Sequence, residues 1–374
     1  MHKLKITETL NNFKLSRYVI DLLFISVLLT VRRFYKLFKI KDGSIVIISL
    51  HRLGDSVFTV QAIQQIQKHF SKELIIFCYS ESIPIYKIIL KNVIYISVER
   101  SDFYFNNRIA SRYARNKLSK CNPATIIDLT GVMTSASLIF DSKAGNIIGM
   151  NREIFKGIYD LYSKVHYKSH LSEMYLNVSK LLPGKVESND FDIFPRSNKK
   201  VDKIIIHPFA GWKAKEWNFN KFVNLAQALS KTYEVSFLIP SNSLTKDIEE
   251  EIKNYQIDLI KTISVEELIA ALNNCSLLIG NDSGPIHIAS MLGKATFTIY
   301  GPSNPSFTLP YGSTHGHYQK KIKCSPIATE NLCFTDGGRY GCPSFECMNG
   351  TSIKEVLNSI KLFIDDIESK AVVL

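Results

Sequence analysis

Ile45-Val-Ile-Ile-Ser-Leu50 is followed without a break by His51-Arg-Leu-Gly-Asp55, and this stretch decides the fold. A short, nearly continuous apolar run of this kind is typical of a buried parallel strand. The loop after it leads into a helical pattern over Val57–Phe70, which gives the strand–loop–helix order of a βαβ unit. Gly54 permits a tight turn or a close backbone approach. Asp55 either caps the helix or points into a ligand cleft.

The same alternation of apolar runs and helical patterns continues along the chain and starts again at Lys203-Ile-Ile-Ile-His207. The other predicted strands are Leu74–Tyr79, Val93–Val98, Thr125–Leu129, Val235–Ile239, Ser276–Ile279 and Ala295–Tyr300. The later predicted helices are Phe219–Lys231, Val265–Asn274, Ile286–Leu292 and Ser352–Ile367. We therefore predict an α/β protein with two doubly wound parallel sheets, facing each other across a cleft at the C-terminal ends of their strands.

This pattern divides the 374 residues into two domains of ordinary size, with an extension at each end. Residues 43–182 are assigned to the first Rossmann-like domain and residues 201–350 to the second. The polar residues 183–200, which include two prolines and show no periodicity, are assigned to the linker. Residues 351–374 are expected to form a helix that packs back toward the first domain. Residues 1–42 form an apolar and basic extension.

The N-terminal extension carries an apolar stretch, Tyr18–Val31, that is interrupted by Asp21 and is short for a transmembrane span. The basic residues that flank it are Arg17, Arg32, Arg33, Lys36 and Lys39. No small-residue cleavage site follows the stretch, so it is not a typical signal peptide. Two interpretations stay open: an amphipathic helix on the inner face of a membrane, and a helix packed on the protein's own surface.

Composition restricts the classes of partner. An apolar fraction of 45% excludes a disordered chain. A net charge of +12 fits either a basic soluble protein or one attracted to a polyanion or an anionic membrane. The sequence contains no RNA-binding signature and no zinc-finger spacing, so nucleic acid is not a predicted partner. Seven cysteines without disulfide-like density fit a reducing cytoplasm.

The first loop of the second half, His207–Trp217, places two lysines near the predicted cleft edge. A lysine at such an edge can meet a phosphate as a point charge, and this is the interpretation for Lys215. Lys213 is interpreted as a solvated residue of a basic loop.

A later loop, Gly280-Asn-Asp-Ser-Gly-Pro-Ile-His287, again joins a strand to a helix. Gly284 keeps the turn open, and Pro285 suits the first helical position, where its missing N–H costs nothing. The backbone N–H groups of Ser283, Gly284 and Ile286 would face outward at the positive end of the helix dipole, ready for a diphosphate. The alternative interpretation is an ordinary capped helix.

Taken together, four stretches resemble glycosyltransferase family 9, the heptosyltransferase family that builds the inner core of lipopolysaccharide. They are Arg52-Leu-Gly-Asp55, Lys215-Glu-Trp217, Asp282-Ser-Gly-Pro-Ile-His287 and Tyr300-Gly-Pro-Ser-Asn-Pro305. The resemblance covers most of the chain outside the N-terminal extension. It implies a GT-B fold, a metal-independent inverting transfer, no cofactor, and ADP-L-glycero-D-manno-heptose as the commonest donor.

The resemblance also implies site residues. Asp55 is the expected general base, with Arg52 and Gly54 supporting its loop, and Lys215 is expected to contact the donor phosphates. The expected donor-binding turn consists of Asp282, Ser283, Gly284, Pro285, Ile286 and His287. The family has an acidic donor-binding residue after the strand that corresponds to Val235–Ile239. The matching segment here, Pro240–Asp247, has no clear equivalent, so the identity of the donor stays open.

The implied acceptor is a lipid-linked core oligosaccharide, and the implied location is the cytoplasm, peripheral to the inner face of the cytoplasmic membrane. The alternatives are a GT-B transferase with another nucleotide sugar, a sugar-nucleotide epimerase and a non-catalytic sugar-nucleotide-binding protein. An epimerase needs additional acid/base groups in the cleft, and the presence of Asp55 argues against a silent protein.

Cys324, Cys333, Cys342 and Cys347 form a late cluster in the sequence. The cluster lacks the close C-x-x-C pairs that are typical of zinc sites. We interpret these cysteines as packing residues of a loop, with a metal site as the alternative.

Overall fold

Two parallel sheets of six strands each organise the part of the chain that this computed structural model describes. The described residues are 22–70, 73–151, 154–165, 169–183, 194, 200–333, 342 and 344–371. In spatial order, the first sheet contains β3 (Val93–Val98), β2 (Leu74–Tyr79), β1 (Ser44–Ser49), β5 (Pro123–Asp128), β6 (Asn146–Asn151) and β7 (Leu161–Lys164). The second contains β10 (Asp258–Thr262), β9 (Glu234–Pro240), β8 (Lys203–His207), β11 (Leu277–Asn281), β12 (Ala295–Tyr300) and β13 (His315–Gln319). A two-residue strand, β4 (Ile109–Ala110), belongs to neither.

Both sheets have the same strand order. The first strand of each lies in the centre, the next two strands are added on one side of it, and the last three are added on the other side. That order defines a Rossmann-like domain and places a switch point, where ligands bind, at the C-terminal end of the first strand of each sheet. The predicted fold class, two Rossmann-like α/β domains, is confirmed. The central strands β1 and β8 are apolar runs because helices cover both faces of each sheet. Val46, Ile47 and Ile48 in β1 are each 0% exposed.

Fourteen helices are present in the described residues. They are α1 (residues 22–35), α2 (Leu53–His69), α3 (Ile83–Ile89), α4 (Tyr104–Asn107), α5 (Arg112–Lys120), α6 (Met133–Ile139), α7 (Leu171–Ser179), α8 (Phe219–Leu229), α9 (Lys246–Asn254), α10 (Val265–Asn273), α11 (Gly284–Met291), α12 (Pro305–Thr308), α13 (Glu346–Asn349) and α14 (Ile353–Ala371). Besides β4, four strands of the two sheets lie outside the sequence prediction: β6, β7, β10 and β13. Three of them are edge or near-edge strands with mixed polar sequences, such as His315–Gln319, and lack a continuous apolar run.

The two domains share apolar contacts. One continuous cluster of buried side chains includes Ile63 of α2, Val178 of α7, Leu272 of α10 and Ile286 of α11. Helix α2 follows β1 of the first sheet, and helix α11 follows β11 of the second. The two helices pack directly on each other across the domain boundary. This seam fixes the position of the loops that begin both helices.

The C-terminal helix α14 packs on the second domain. Val356, Ile360 and Ile364 are buried in the apolar core of that domain. Phe363 lies 5.6 Å from Phe297 of β12, centroid to centroid. The expectation that residues 351–374 pack back toward the first domain is therefore wrong, because the apolar stripe of α14 is satisfied by the sheet and α8 of its own domain. The assigned linker, residues 183–200, lies outside the described residues except for 183, 194 and 200.

The N-terminal helix α1 packs with one face on the first domain. Ile25 and Leu28 are buried in the core beneath the first sheet. Arg32 is 0% exposed and donates hydrogen bonds to the carbonyl oxygens of Ile158 (3.2 Å) and Ser142 (2.6 Å). Arg32 thus holds the helix in place and does not face outward as a membrane-binding charge would. The part of the predicted apolar stretch before Leu22 lies outside the described residues.

No helix in the described part of the chain is both long and apolar enough to cross a membrane.

Candidate active site

The loops that follow β1, β8 and β11 meet at a cavity of about 270 Å³ between the domains. The first domain contributes Arg52, Gly54, Asp55 and Phe58. The second contributes Gly211, Trp212, Lys215, Asp282, Ser283, Gly284, His287, Thr308 and Leu332. The structure therefore brings together all but two of the site residues that the sequence suggested. Pro285 does not line the cavity, and Ile286 is buried in the core behind it.

Asp55 lies in the first turn of α2 and lines the cavity. The N-cap position of α2 is Arg52, whose side chain makes no capping hydrogen bond. No described residue donates a hydrogen bond to the Asp55 carboxylate. The side chain of Asp55 therefore does not cap α2 in this structure. Its oxygens are available to a ligand in the cavity.

His51 lies next to this loop and was not selected as a site residue from the sequence. Its Nε2 lies 3.1 Å from the carbonyl oxygen of Leu129. Burial lowers the pKa of His51, and the nearby Asp55 carboxylate opposes that shift. The ring is therefore held as a neutral group beside Asp55.

Asp282 is the most strongly perturbed carboxylate of the site. Its Oδ2 lies 2.5 Å from Lys215 Nζ and accepts a hydrogen bond of 2.6 Å from Ser303 Oγ. Burial acts to raise the pKa of Asp282, but the Lys215 ammonium and His287 outweigh it and hold that pKa well below the usual range. Asp282 is thus a permanently charged buried anchor for Lys215, and the geometry gives it a holding role more than a ligand contact.

The loop before Lys215 is fixed by its neighbours in the Lys215-Glu-Trp217 stretch. Glu216 Oε1 accepts a hydrogen bond from the backbone N–H of Ala210, and its other oxygen pairs with Lys213. Trp217 is 1% exposed, and its backbone N–H donates to Asn281 Oδ1. These contacts fix the backbone on both sides of Lys215, whose side chain lines the cavity. Lys213 itself is 86% exposed, as the sequence interpretation held.

The start of α11 presents polar groups that have no partner. Ser283 is the N-cap residue, yet its side chain makes no capping hydrogen bond. Ser283 Oγ and His287 Nδ1 are buried without a hydrogen-bond partner in the described structure. Buried polar groups are almost always paired, and leaving one unpaired costs about 1–3 kcal/mol. Two unpaired polar atoms therefore belong to residues that line the cavity.

One part of the expected anion site differs. The backbone N–H of Ile286 donates to the carbonyl oxygen of Ser283 at 3.2 Å, so it is not free as expected. The first turn of α11 is tightened by this bond. Of the three backbone N–H groups that were expected to face outward, only those of Ser283 and Gly284 remain.

Gly54 of the first domain and Gly284 of the second lie against each other beside the cavity. A Cβ atom on Gly54 would lie 3.2 Å from Gly284 Cα and 3.2 Å from His287 Cδ2. A Cβ atom on Gly284 would lie 3.3 Å from the backbone nitrogen of Gly54. The lack of side chains at both positions lets the loop of Asp55 touch the start of α11 directly.

A second cleft cavity, of about 720 Å³, lies on the other side of Leu53. Its walls include Pro240, Ser241, Asn242 and Ile263 at the ends of β9 and β10. Ser241 and Asn242 belong to the segment Pro240–Asp247, which has no clear equivalent of the family's acidic residue, and they present a hydroxyl and an amide.

Several lining residues were missed from the sequence. Phe58 and Trp212 contribute apolar walls, and Thr308 and Leu332 come from the segment after β12. Phe58 follows Asp55 by one helical turn, which is the signal that places it on the same face of α2. Thr308 and Leu332 carry no such signal, because only the folded loop brings them to the cleft.

The late cysteines are all free thiols. Cys333 N–H donates to the carbonyl oxygen of Pro302, and burial raises the pKa of the Cys347 thiol to about 11, with Cys333, Cys324 and Cys342 adding to that rise. Across the described residues, no group of three or more His, Cys, Asp or Glu side chains is arranged to hold a metal ion. The effect of the other three thiols on the pKa of Cys347 shows that the four cysteines lie near one another.

Two Rossmann-like domains that face each other across a cleft form the GT-B fold, which solved heptosyltransferase structures share. Residues 112–334 match the model of glycosyltransferase family 9 (heptosyltransferase), and the chain belongs to this family. It is a glycosyltransferase.

Known relatives agree with this assignment. The chain is 22% identical over 330 residues to lipooligosaccharide heptosyltransferase 2 of Campylobacter jejuni serotype O:6, covering 83% of this chain and 95% of that protein. A family 9 glycosyltransferase from Veillonella parvula is 20% identical with a TM-score of 0.69, covering 88% and 99% of the two chains. The Escherichia coli heptosyltransferase WaaC, solved with ADP, is 15% identical with a TM-score of 0.61, covering 87% and 99%.

Proposed function

We propose that this glycosyltransferase moves a heptose from ADP-heptose onto the core of a lipopolysaccharide or lipooligosaccharide, with inversion at the transferred carbon. The observation that carries the proposal is the shared cavity. It holds the unengaged carboxylate of Asp55 from one domain and the unpartnered Ser283 Oγ and His287 Nδ1 from the other.

The reaction that this arrangement supports is a direct displacement. Asp55 accepts the proton of the acceptor hydroxyl while the hydroxyl oxygen forms a bond to the anomeric carbon of the donor. The bond from that carbon to the diphosphate oxygen breaks, and the nucleoside diphosphate leaves with the electron pair. Attack from the face opposite the leaving group inverts the configuration.

The leaving diphosphate gains negative charge as that bond breaks. The groups near it are Lys215, held in place by Asp282, together with the backbone N–H groups of Ser283 and Gly284 at the start of α11. Preorganised donors of this kind stabilise developing charge without reorganisation. Arg52 adds a cation from the first domain, since its Nη1 lies 3.7 Å from a Cβ position on Gly211 across the cleft. We therefore expect transfer to persist in the presence of EDTA.

The second cavity is the proposed site of the nucleoside. It adjoins the first at Leu53 and Gly54, and its volume of about 720 Å³ suits the larger part of a nucleotide sugar. Ser241 and Asn242 are placed to hydrogen-bond ribose hydroxyls. ADP is the nucleotide in the E. coli relative, which is the support for an adenine nucleotide here.

The acceptor is proposed to be a lipid-linked core oligosaccharide, as in the activities that name the Campylobacter relatives. Such acceptors carry phosphates, and the net charge of +12 complements them. The proposed location is the cytoplasmic face of the inner membrane.

A panel of nucleotide sugars tests the proposal. ADP-heptose should raise the melting temperature most, because a ligand that binds only the folded state stabilises it. Transfer of heptose to a core oligosaccharide acceptor should then be followed by mass spectrometry, with donor hydrolysis measured without acceptor. Stabilisation by ADP-heptose with neither transfer nor hydrolysis would indicate a binding protein. Conversion of the free donor to a sugar epimer would indicate an epimerase, and stabilisation by another nucleotide sugar would change the donor.

A further inference from the structure

The outer face of α1 and the turn after it form an exposed apolar strip. Its members are Leu23 (64% exposed), Val27 (57%), Phe34 (57%), Leu37 (76%) and Phe38 (50%). The first three recur at intervals of four and seven residues, which places them on one face of the helix. Large side chains that are this exposed and this close together are uncommon on a soluble surface and mark an interaction site.

The strip cannot be turned inward by rotating the helix. The opposite face is fixed by Ile25 and Leu28 in the core and by the two hydrogen bonds of the buried Arg32. The helix is therefore held with its apolar strip outward by the folded first domain.

Basic residues surround the strip. Residues 22–41 contain no acidic residue, and the basic residues besides Arg32 are Arg33, Lys36, Lys39 and Lys41. Lys36 and Lys39 approach Asp160 at 3.4 and 3.6 Å, so part of their charge is offset.

Helix α5 extends this basic surface. It lies beside α1, since Tyr35 lines a cavity of about 380 Å³ together with Arg115 and Asn116 of α5. The sequence of α5 contains four basic residues and no acidic one, and Tyr113 on it is 59% exposed. Arg115 pairs with Asp141 at 3.1 Å, so the charges that α5 adds are those of Arg112, Lys117 and Lys120.

We propose that this surface, formed by the outer face of α1, residues 36–41 and α5, docks the enzyme on an anionic lipid bilayer. Apolar side chains of α1 enter the headgroup region and the basic residues meet lipid phosphates. A second copy of the chain is a poorer partner for this surface, because pairing two such faces would bring their positive charges together. The choice of bilayer rests on the proposed function, but docking itself does not require it.

Vesicle flotation of the full chain tests the proposal. The wild-type protein should float with vesicles of phosphatidylglycerol and phosphatidylethanolamine, less with phosphatidylcholine vesicles, and less at 0.5 M salt. The variant Phe34→Glu/Leu37→Glu should partition at least about tenfold more weakly, because it removes apolar contacts and adds negative charge. The matched control is Leu362→Glu, which changes a leucine that is 71% exposed on α14 of the other domain and should bind as wild type does.

Three outcomes would overturn the proposal: no binding of wild type to anionic vesicles, equal binding of the double variant, or an equal loss in the Leu362→Glu control. Sedimentation velocity tests the alternative partner. If wild type is a dimer that does not bind vesicles, and the Phe34→Glu/Leu37→Glu variant is a monomer, the strip contacts a second copy of the chain. Melting temperatures of both variants establish that they fold. Transfer to a soluble acceptor is measured in parallel, so that a failure of the proposed reaction is distinguished from a failure of docking.

Discussion

Asp282 and Asp55 are two carboxylates of one cavity with opposite surroundings. Asp282 is 4% exposed and is engaged by Lys215, Ser303 and His287. Asp55 has no hydrogen-bond donor among the described residues. A carboxylate that is fully engaged can hold a neighbour in place, and one that is not engaged can accept a proton from a ligand. The environments of the two carboxylates therefore differ in the way that the holding role of Asp282 and the proposed base role of Asp55 require.

The variant Asp55→Asn should lose turnover by about 10²–10⁴-fold while keeping its melting temperature and donor affinity. The amide keeps the size of the carboxylate but cannot take the acceptor proton. Turnover, donor binding by calorimetry and melting are measured on the same preparation. Near-wild-type turnover would remove Asp55 as the base. Because Asn caps helices about as well as Asp, a capping role alone predicts that activity survives.

The variant Lys215→Ala should weaken donor binding by roughly 10–100-fold, the value of a charge-assisted contact. It also leaves the buried Asp282 carboxylate without its cation, so the melting temperature should fall. The double variant Lys215→Ala/Asp282→Asn removes that stranded charge and should recover stability without recovering donor affinity. Recovery of affinity together with stability would show that Lys215 acts only on folding.

At the scale of elements, the contact between the start of α2 and the start of α11 sets the distance between Asp55, the proposed base, and the proposed donor site. The two loops approach through Gly54 and Gly284, with no side chain between them. Reacting groups are sensitive to small displacements, since a shift of about 1 Å can cost about 10²-fold in rate.

The variant Gly54→Ala should lower turnover by about tenfold with little change in the melting of either domain. Its Cβ would press on Gly284 Cα and His287 Cδ2, both at 3.2 Å, and push the two loops apart by a few tenths of an ångström. Gly211→Ala is the matched control in the same cleft, because its Cβ would meet only Arg52 Nη1, at 3.7 Å. Steady-state turnover of the two variants decides the matter. Equal losses in both would mean that any added methyl group in the cleft is harmful.

The elements themselves were largely predictable. Apolar runs such as Lys203–His207 and Ala295–Tyr300 mark central strands because both faces are buried, and their bounds agree with the structure. Edge strands such as β13 carry polar residues, because one side is exposed, and they left no such pattern. The amphipathic stripe of α14 predicted a helix but could not show which domain would cover it.

The positions of the candidate site residues were predictable from the sequence, but their partners were not. The loops at the strand ends placed Asp55 and Lys215 near the predicted cleft, because parallel strands bring their C-terminal ends to one edge. His287 was expected there only through the family resemblance. The pairing of Lys215 with Asp282 and the burial of Arg32 were not predictable, since both depend on partners far away in the sequence. Charge alone made Arg32 a membrane candidate, and only its contacts show that it is structural.

At the scale of the molecule, His170 joins the two domains near the cavity. Its Nδ1 accepts a hydrogen bond from the N–H of Ser172, and its Nε2 lies 3.1 Å from the carbonyl oxygen of Leu309 in the second domain. The ring also lies 4.1 Å from that of Tyr311. Both hydrogen bonds require the neutral ring with its proton on Nε2.

Acid should loosen this contact. Burial lowers the pKa of His170 to about 4, below the value of about 6.5 in the unfolded chain. The unfolded chain therefore takes up the proton first, so the stability that the neutral ring provides is present above pH 6.5 and is lost as the pH falls toward 4. Melting curves of wild type and His170→Ala from pH 7.5 to 4.5 measure the effect.

The comparison isolates His170 from the other buried histidines, His207 and His287, which are present in both proteins. The variant should melt lower at pH 7.5, and the gap to wild type should shrink as the solution becomes acidic. A gap that stays constant with pH would assign the loss to packing alone.

The apolar seam between α2 and α11 has a consequence for the covalent chain. Each half buries part of its surface only against the other half, so neither is expected to be soluble when expressed alone. Fragments of residues 1–183 and 200–374, produced together, should instead assemble into one active particle, held by the seam without a peptide bond between them. Affinity purification through a tag on one fragment would recover the other in equal amount. Two soluble, separately eluting fragments would show that the seam is too weak to hold the halves. Assembly would make the two halves exchangeable, so that second domains from related enzymes could be paired with this first domain, provided that each keeps a glycine where Gly284 contacts Gly54.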